Sequence, residues 1–427
     1  MRAWARNLRG TSAAAAGMLA AAGASFGAAS VCERSAQPEE APVLGTVVIF
    51  RHGARTPVFR LPDGVGHEVD WARDVLPAPP PHAAAIHVEG GQSWRVSAGS
   101  AGQLTSLGWA QGEALGRRLR MIYGPPAVDT LEVVSTDMRR TVETAHAVLT
   151  GLLLPGHKAP VAVHVESIGV GGGSPWVPNT RCAALSEFMR TGREALRAKR
   201  SGLAASTHSA IEQAFGPLYQ PEAVGLLGVH DDCQARRWHG KPPSPCVDVS
   251  LCDAASREAT REAIAALSAH GQESWRLSAG PMCHRLAQKI RAILDGDKRR
   301  LMLVSAHDTS LFTLLNAISV DYRQRCLSEN GGSWPPYASC ITIDVLANGL
   351  VRVRYQFDPL SLEANGVGPR RGRQDVAETT GVEATREFLQ RLDTVALDPA
   401  KFRERCPEFF TPNLPESSAG TVFRWGA

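Results

Sequence analysis

Residues 47–57, VVIFRHGARTP, join an apolar run to a cluster of polar side chains. The run ends at Phe50, and Arg51, His52 and Arg55 follow directly. Two guanidinium groups offer N–H donors in fixed forks that match the oxygens of a phosphate. A histidine between them has the chemistry of a nucleophile towards phosphorus. The segment therefore predicts a site that binds a phosphate group and attacks it.

Two other apolar runs are followed by polar groups of complementary chemistry: Arg139 and Arg140 after residues 131–135, and His307 and Asp308 after residues 300–305. In open α/β sheets, ligands bind outside the carboxyl ends of the strands. If these runs are neighbouring strands, the three groups of side chains meet at one edge of the sheet. Adjacent helical residues point about 100° apart, so only one of the two arginines can face that edge.

The elements that must position these groups are visible as β-branched and apolar runs. Three runs, at 45–50, 131–135 and 300–305, lack polar alternation, which predicts central strands covered on both faces. Further strands are predicted at 161–165, 340–346 and 351–357. The pattern predicts helices between and beyond them, at residues 106–123, 139–153, 256–271 and 283–296.

This alternation of strands and helices predicts an α/β sandwich built on a mixed sheet. We expect residues 42–165 and 298–410 to form the α/β core, with a mainly helical cap inserted at 166–297. Composition also predicts loops at 76–85 and 366–375. The remaining segments are a targeting leader, 1–38, and a C-terminal tail, 411–427.

Charge and hydropathy limit the partners. The chain has 46 basic and 42 acidic residues, and three of the basic residues lie in the acid-free first 32 positions. The rest is nearly neutral, so nucleic acid is not expected as a partner. No apolar run after residue 31 is long enough for a transmembrane segment. We expect a monomer.

The first 32 residues are rich in Arg, Ala and Ser and contain no acid, as in a mitochondrial transit peptide. A secretory signal is the alternative, because residues 13–31 are mildly apolar with small residues near their end. Asn-x-Ser/Thr sequons are absent from the sequence, which disfavours passage through the endoplasmic reticulum. The expected location is mitochondrial, with secreted or lysosomal as the alternative.

The sequence has nine cysteines and no Cys-x-x-Cys pair, so a zinc site is not expected. We interpret most of the cysteines as free thiols that pack as small apolar groups. The alternative is that Cys233, Cys246 and Cys252, which are close in sequence, pair in an oxidising compartment.

The segment RHGARTP, with SAHD at 305–308, resembles the two motifs of the histidine acid phosphatases, a branch of the phosphoglycerate-mutase-like superfamily. Within that family the chain is most similar to the mitochondrial lysophosphatidic acid phosphatases. The similarity extends to residues 68–71, 102–120, 334–346 and 397–406 and covers about residues 44–408. The resemblance implies a phosphoglycerate-mutase-like fold with a cap.

The resemblance also implies a role for each site residue. His52 would attack phosphorus and form a phosphohistidine, and Asp308 would protonate the departing alkoxide. The phosphate oxygens would be held by Arg51, Arg55, Arg140 and His307, with Arg140 favoured over Arg139 by the motif. No metal or other cofactor is expected, since no carboxylate cluster suited to a metal is visible.

The implied activity is hydrolysis of a phosphomonoester, with a lysophospholipid, lysophosphatidic acid, as the expected substrate. One alternative is a broad acid phosphatase or phytase-like enzyme that acts on soluble phosphomonoesters. The others are a mutase-type phosphoryl transferase and a non-catalytic relative that binds phospholipid. SAHD fits the phosphatase branch better than the mutase branch, and His52, Arg55, His307 and Asp308 together disfavour a degenerate protein.

Overall fold

The computed structural model describes residues 41–63, 68–91, 93–95, 99–167, 174–178, 182–199, 202–215, 225–327, 334–356 and 379–407. Within these ranges a sheet has the spatial order β2-β4-β3-β5-β1-β6-β7-β8. Its strands are β1 (Val43–Arg51), β2 (Ile86–Gly90), β3 (Leu131–Thr136), β4 (Val161–Glu166), β5 (Leu301–Ala306), β6 (Cys340–Leu346), β7 (Leu350–Gln356) and β8 (Thr379–Ala384).

The sheet is mixed, as the sequence predicts. Strands β1 to β5 pair in parallel, whereas β6, β7 and β8 pair antiparallel. The three runs without polar alternation, β1, β3 and β5, lie next to one another inside the sheet, which confirms their prediction as central strands.

Helices cover both faces of the sheet. Their bounds are α1 (Ser106–Tyr123), α2 (Arg139–Leu152), α3 (Ala183–Ala198), α4 (Gly202–Phe215), α5 (Gly225–Trp238), α6 (Val249–Ser268), α7 (Gln272–Leu294), α8 (Asp308–Ile318), α9 (Val320–Leu327), α10 (Thr385–Val395) and α11 (Pro399–Arg405). Alternate residues of a strand point to opposite faces. Accordingly, Val48 and Phe50 of β1 belong to the core formed with α1 and α2, and Val47 and Ile49 to the core formed with α7, α8 and α10.

The middle of the chain is helical, with α3 to α7 between β4 and β5. Part of it has an apolar core of its own, in which Leu61 contacts side chains of α4, α5 and α6. The limits of the cap as a separate domain stay a prediction. The expected leader, the loop at 366–375 and the tail at 411–427 lie outside the described residues.

Several elements differ from the sequence prediction. Strands β2 and β8 were not predicted, because edge strands bury too little surface to leave a clear apolar pattern. Helix α6 begins earlier, at Val249, because the Asp248 carboxylate caps it by accepting the Leu251 N–H at 2.7 Å. Helix α7 also begins earlier and runs through Pro281.

The expectation of free thiols was wrong for four cysteines. Cys182 is disulfide-bonded to Cys406, and Cys233 to Cys252. The first pair is 224 residues apart in sequence, so no local pattern predicts it. The remaining described cysteines form no disulfide, and those at 283, 326 and 340 are buried as expected. None of the described helices is long and apolar enough to cross a bilayer.

Candidate active site

The predicted site residues meet at one edge of the sheet. Strand β5 lies between β1 and β3 and runs parallel to both, so the three carboxyl ends are adjacent. Arg51 at the end of β1 is in register with Ala306 of β5, and the His52 N–H donates to the Ala306 carbonyl at 3.0 Å. His307 and Asp308 follow β5, and α2 begins shortly after β3.

The loop after β1 is held against α1 and α2. The Gly53 N–H donates to Thr144 Oγ1 at 3.1 Å, and the Ala54 N–H donates to Gln111 Oε1 at 2.7 Å. Gly53 and Gly108 allow close contact, because a Cβ at either position would lie 2.1 Å from a backbone oxygen of the other segment. Helix α1 therefore fixes the backbone that carries His52 and Arg55.

His52 is buried and held in its neutral form. Its Nδ1 lies 2.9 Å from the Gly53 carbonyl oxygen, which can only accept, so Nδ1 carries the proton and Nε2 keeps its lone pair. Burial lowers the pKa of His52 well below its usual value, and Arg140, Arg51 and Arg55 lower it further. A neutral imidazole is the reactive form.

The structure decides between Arg139 and Arg140. Arg139 turns away from the site and donates its Nε–H to Glu143 Oε1 at 2.7 Å. Arg140 faces His52, whose pKa it lowers more than any other charged group. Burial and the nearby Arg55 lower the pKa of Arg140 itself to about 9, which marks a strongly electropositive position.

The three arginines around His52 have unused donors. In Arg51, Arg55 and Arg140 the Nε atom is buried and has no hydrogen-bond partner among the described residues. Buried N–H groups are normally paired, so unpaired donors on three converging guanidiniums indicate a binding site for an anion. Arg51 is further oriented by Pro335, whose carbonyl accepts its Nη1–H at 2.6 Å.

His307 lies beside His52 at the start of α8. The two rings are edge to face with centroids 5.6 Å apart, and His307 Nε2 is 2.9 Å from Thr136 Oγ1. Burial lowers the pKa of His307 well below its usual value, with a further contribution from Arg140. A helix N-terminus and a ring nitrogen at this position suit the oxygens of a phosphate.

Asp308 has an ion pair with Arg51, with Oδ2 2.8 Å from Nη2. Burial raises the pKa of Asp308, but Arg51 and Arg55 oppose it and hold the pKa below its usual value. The free site therefore contains a carboxylate. A phosphate dianion between the arginines would offset their effect and raise the pKa of Asp308, which would make it an acid when the ester is bound.

Sequence reasoning missed Asp231 of α5, which pairs with Arg55, and Tyr337, whose ring lies 4.1 Å from the Arg51 guanidinium carbon. Asp231 stands beside no predicted strand, so no local pattern marked it. Tyr337 lies in the segment 334–346 that resembles the family, but the resemblance assigned it no role. Of two tryptophans considered for an apolar pocket, Trp334 lies near Asp308 and helps to lower its pKa. The other, Trp176, is fully buried in the core.

Comparison with known proteins agrees with this arrangement. The family model described as histidine phosphatase superfamily (branch 2) matches residues 43–214 and 266–356, more than half of the chain. Lysophosphatidic acid phosphatase type 6 of Bos taurus is 25% identical over 398 residues, which cover 84% of this chain and 85% of the relative. Testicular acid phosphatase of Homo sapiens is 27% identical over 338 residues, 71% of this chain and 67% of the relative.

Solved structures share the fold. The Hafnia alvei phytase in complex with tartrate aligns with a TM-score of 0.53 and 14% identity, over 85% of this chain and 99% of the phytase. The phytase from D. castellii aligns with the same TM-score and identity over 87% of this chain and 82% of its own.

Proposed function

This chain belongs to branch 2 of the histidine phosphatase superfamily and is a phosphomonoester hydrolase, and from that premise we propose that its substrate is lysophosphatidic acid. The products are monoacylglycerol and phosphate. The observation that carries the chemistry is the set of buried, unpaired Nε donors around a neutral His52.

In the first step, His52 Nε2 attacks phosphorus and forms an N–P bond as the P–O bond to the leaving group breaks. Asp308, protonated in the substrate complex, transfers its proton to the departing alkoxide, which is otherwise a poor leaving group. Arg51, Arg55, Arg140 and His307 stabilise the charge on the transferring phosphoryl group. A water molecule then attacks the phosphohistidine, with the Asp308 carboxylate as the base, and phosphate leaves.

The proposal of a substrate with one phosphate is supported by the cap. The arginines of α5 are already paired with carboxylates: Arg236 with Asp63 and Asp232, and Arg237 with Asp253. A polyphosphate such as phytate needs cations for its other phosphates. Arg236 differs from Arg55 in that all three of its guanidinium nitrogens donate hydrogen bonds within the protein. This observation favours a monophosphate over an inositol polyphosphate.

An acyl chain requires an apolar lining, and aromatic rings pack beside the phosphate site. Tyr337 lies 5.9 Å from His52 and 6.3 Å from Trp238 between ring centroids, and Trp334 stacks on Phe312 at 4.6 Å. The 25% identity to a lysophosphatidic acid phosphatase over most of both chains supports the same substrate class. A broad acid phosphatase is the second candidate, favoured by the similarity to testicular acid phosphatase.

The test is phosphate release from lysophosphatidic acid, phosphatidic acid, phytate and p-nitrophenyl phosphate, with the His52→Ala variant as the blank. We expect the highest kcat/KM with lysophosphatidic acid and loss of all release in the variant. Turnover of the soluble phosphates alone would replace the lipid by the second candidate. Release that persists in His52→Ala would remove His52 from the nucleophilic role.

A further inference from the structure

Asp231 of α5 binds one of the phosphate-site arginines from the cap. Its Oδ1 lies 2.7 Å from Arg55 Nη2 and its Oδ2 lies 3.1 Å from Arg55 Nη1. Oδ2 also accepts the N–H of Val58 at 2.8 Å. Both side chains of the ion pair are about nine-tenths buried, with 8% of Arg55 and 11% of Asp231 exposed. The carboxylate is therefore a fixed part of the site.

The hydrogen bonds of Arg55 leave one edge of its guanidinium open. A guanidinium has five N–H donors. Asp231 takes one from each terminal nitrogen, and the Thr56 carbonyl accepts the second Nη1–H at 3.0 Å. The donors that remain are Nε–H, which has no partner among the described residues, and the second Nη2–H. These two lie on the same edge, which matches two phosphate oxygens.

The ion pair of Asp231 with Arg55 also changes the net charge of the site. The site contains three arginines, the two carboxylates of Asp231 and Asp308, and neutral His52 and His307, so it carries one net positive charge when empty. A phosphate ester dianion makes the occupied site negative unless Asp308 takes up a proton. Without the charge of Asp231, the dianion would be balanced while Asp308 stayed ionised.

We propose that Asp231 is a positioning residue for phosphoryl transfer, which fixes the phosphate-binding edge of Arg55 and drives proton uptake by Asp308 when the ester binds. The proposal rests on phosphomonoester hydrolysis by this site and does not depend on the lipid substrate. It assigns the cap a part in the acid step in addition to shaping the entrance.

Other charged and titratable groups face the same two carboxylates. Those acting on Asp308 are Arg51, Arg55, Arg140, His307, His230 and Tyr337, and those acting on Asp231 are Arg55, Arg140, His230, Tyr337 and Asp232. Burial lowers the pKa of His230 to about 4 and raises that of Tyr337 to about 12, so both are neutral between these values. Asp231 is thus the carboxylate whose removal alters the balance at Asp308.

The experiment uses the full chain and three variants. Asp231→Asn removes the charge and keeps the shape, whereas Asp231→Glu keeps the charge and changes the reach. Asp232→Asn is the matched control, because Asp232 is the next residue of α5 and pairs with Arg236 at 2.5 Å instead of with a site arginine. For each, kcat for p-nitrophenyl phosphate and for an alkyl phosphate is measured between pH 3 and 8, together with inhibition by inorganic phosphate.

We expect Asp231→Asn to move the alkaline limb of kcat for the alkyl phosphate to lower pH by about one unit. We also expect it to bind inorganic phosphate roughly three- to tenfold more tightly at neutral pH. A disrupted site would lose kcat and also bind phosphate more weakly. A lower kcat at neutral pH together with tighter phosphate binding therefore separates the proposed role from loss of structure. Asp231→Glu and Asp232→Asn should keep the wild-type limb.

Three results would overturn the proposal: an unmoved limb in Asp231→Asn, weaker phosphate binding in that variant, or an equal shift in Asp232→Asn. Circular dichroism and thermal unfolding identify a variant that does not fold, and in that case Asp231→Glu decides alone. Asp231→Glu keeps the negative charge. If it folds and its alkaline limb of kcat still moves to lower pH, the charge argument fails. Because the substrates are small phosphates, failure of the lipid assignment leaves this test intact.

Discussion

At the scale of single residues, the same three arginines serve two purposes. Their buried, unpaired Nε–H groups are the donors that the proposed phosphate would use, and their charge helps burial to keep His52 neutral well below its usual pKa. A histidine that stays unprotonated below its usual pKa keeps its lone pair in mildly acidic solution. Asp308 is tuned in the opposite way, because Arg51 and Arg55 keep it ionised until an anion arrives.

The role of Asp308 predicts a dependence on the leaving group. Asp308→Asn removes the proton that an alkoxide needs, whereas p-nitrophenolate departs without help. We expect kcat to fall about 10²–10³-fold for an alkyl phosphate and much less for p-nitrophenyl phosphate. Steady-state kinetics on both substrates checks this, and equal losses would remove Asp308 from the acid role.

The two adjacent arginines of α2 provide a test variant and its control. Arg140→Gln removes a proposed phosphate donor. It also removes the charged group that lowers the pKa of His52 most, so that pKa should rise towards 6.5. A protonated histidine cannot attack, and the acid limb of kcat/KM should therefore move to higher pH. We expect kcat/KM to fall about 10²-fold. Arg139→Gln, which loses only the pair with Glu143, should resemble the wild type; the reverse order of effects would show that the wrong arginine was assigned.

At the scale of elements, the site depends on the contact between the loop after β1 and the first turn of α1. A Cβ at Gly108 would lie 2.1 Å from the Ala54 carbonyl oxygen and 2.8 Å from the Ala54 nitrogen. Both neighbours are backbone atoms, which cannot rotate away as a flexible side chain can. The helix and the loop must separate to accept even a methyl group.

Gly108→Ala should therefore lower the free energy of unfolding by about 1–3 kcal/mol, although alanine is the better helix former by about 1 kcal/mol. Activity should fall as well, because the loop carries His52. Urea unfolding and kcat measure the two effects. Gly381→Ala in β8, where a Cβ meets nothing within 4 Å, is the control. If Gly108→Ala matched that control in stability and activity, the contact would not control the site.

At the scale of the whole molecule, two disulfides join separate helices among the described residues, one of them across more than half of the chain. Cys182–Cys406 joins the start of α3 to the end of α11, and Cys233–Cys252 joins α5 to α6, two residues from Asp231. Disulfides persist in oxidising compartments, which fits the secreted or lysosomal alternative. The Arg-rich composition of the first 32 residues favours the mitochondrial prediction, and both location and oligomeric state stay predictions.

The double variant Cys182→Ser/Cys406→Ser should lower the free energy of unfolding by about 2–5 kcal/mol, because the bond closes a loop of 224 residues. Thermal unfolding with and without a reductant measures this, and the reductant should destabilise the variant less than the wild type. Cys246→Ser, at a free and partly exposed cysteine, is the control. Peptide mapping that found Cys182 and Cys406 as free thiols would contradict the pairing.

The sequence by itself determined the fold class and most of the site. Apolar runs that end in Arg51–His52 and His307–Asp308 carry their chemistry next to the strand that positions it, so local pattern is sufficient there. The central strands were predicted for the same reason, since burial on both faces removes polar alternation. Family resemblance added the role of each group.

Only the tertiary structure decided the ion pair of Asp231 with Arg55 and the disulfide partners. For the two adjacent arginines, spacing left the choice open, the motif favoured Arg140, and the structure places Arg139 against Glu143 and Arg140 near His52. The ion pair and the disulfides depend on which parts of the chain meet in space. Asp231 and Arg55 are 176 residues apart, and no periodicity or spacing connects them. Local pattern specifies what a segment becomes, whereas contacts between distant segments follow from packing, and the charge balance of this site is made by such contacts.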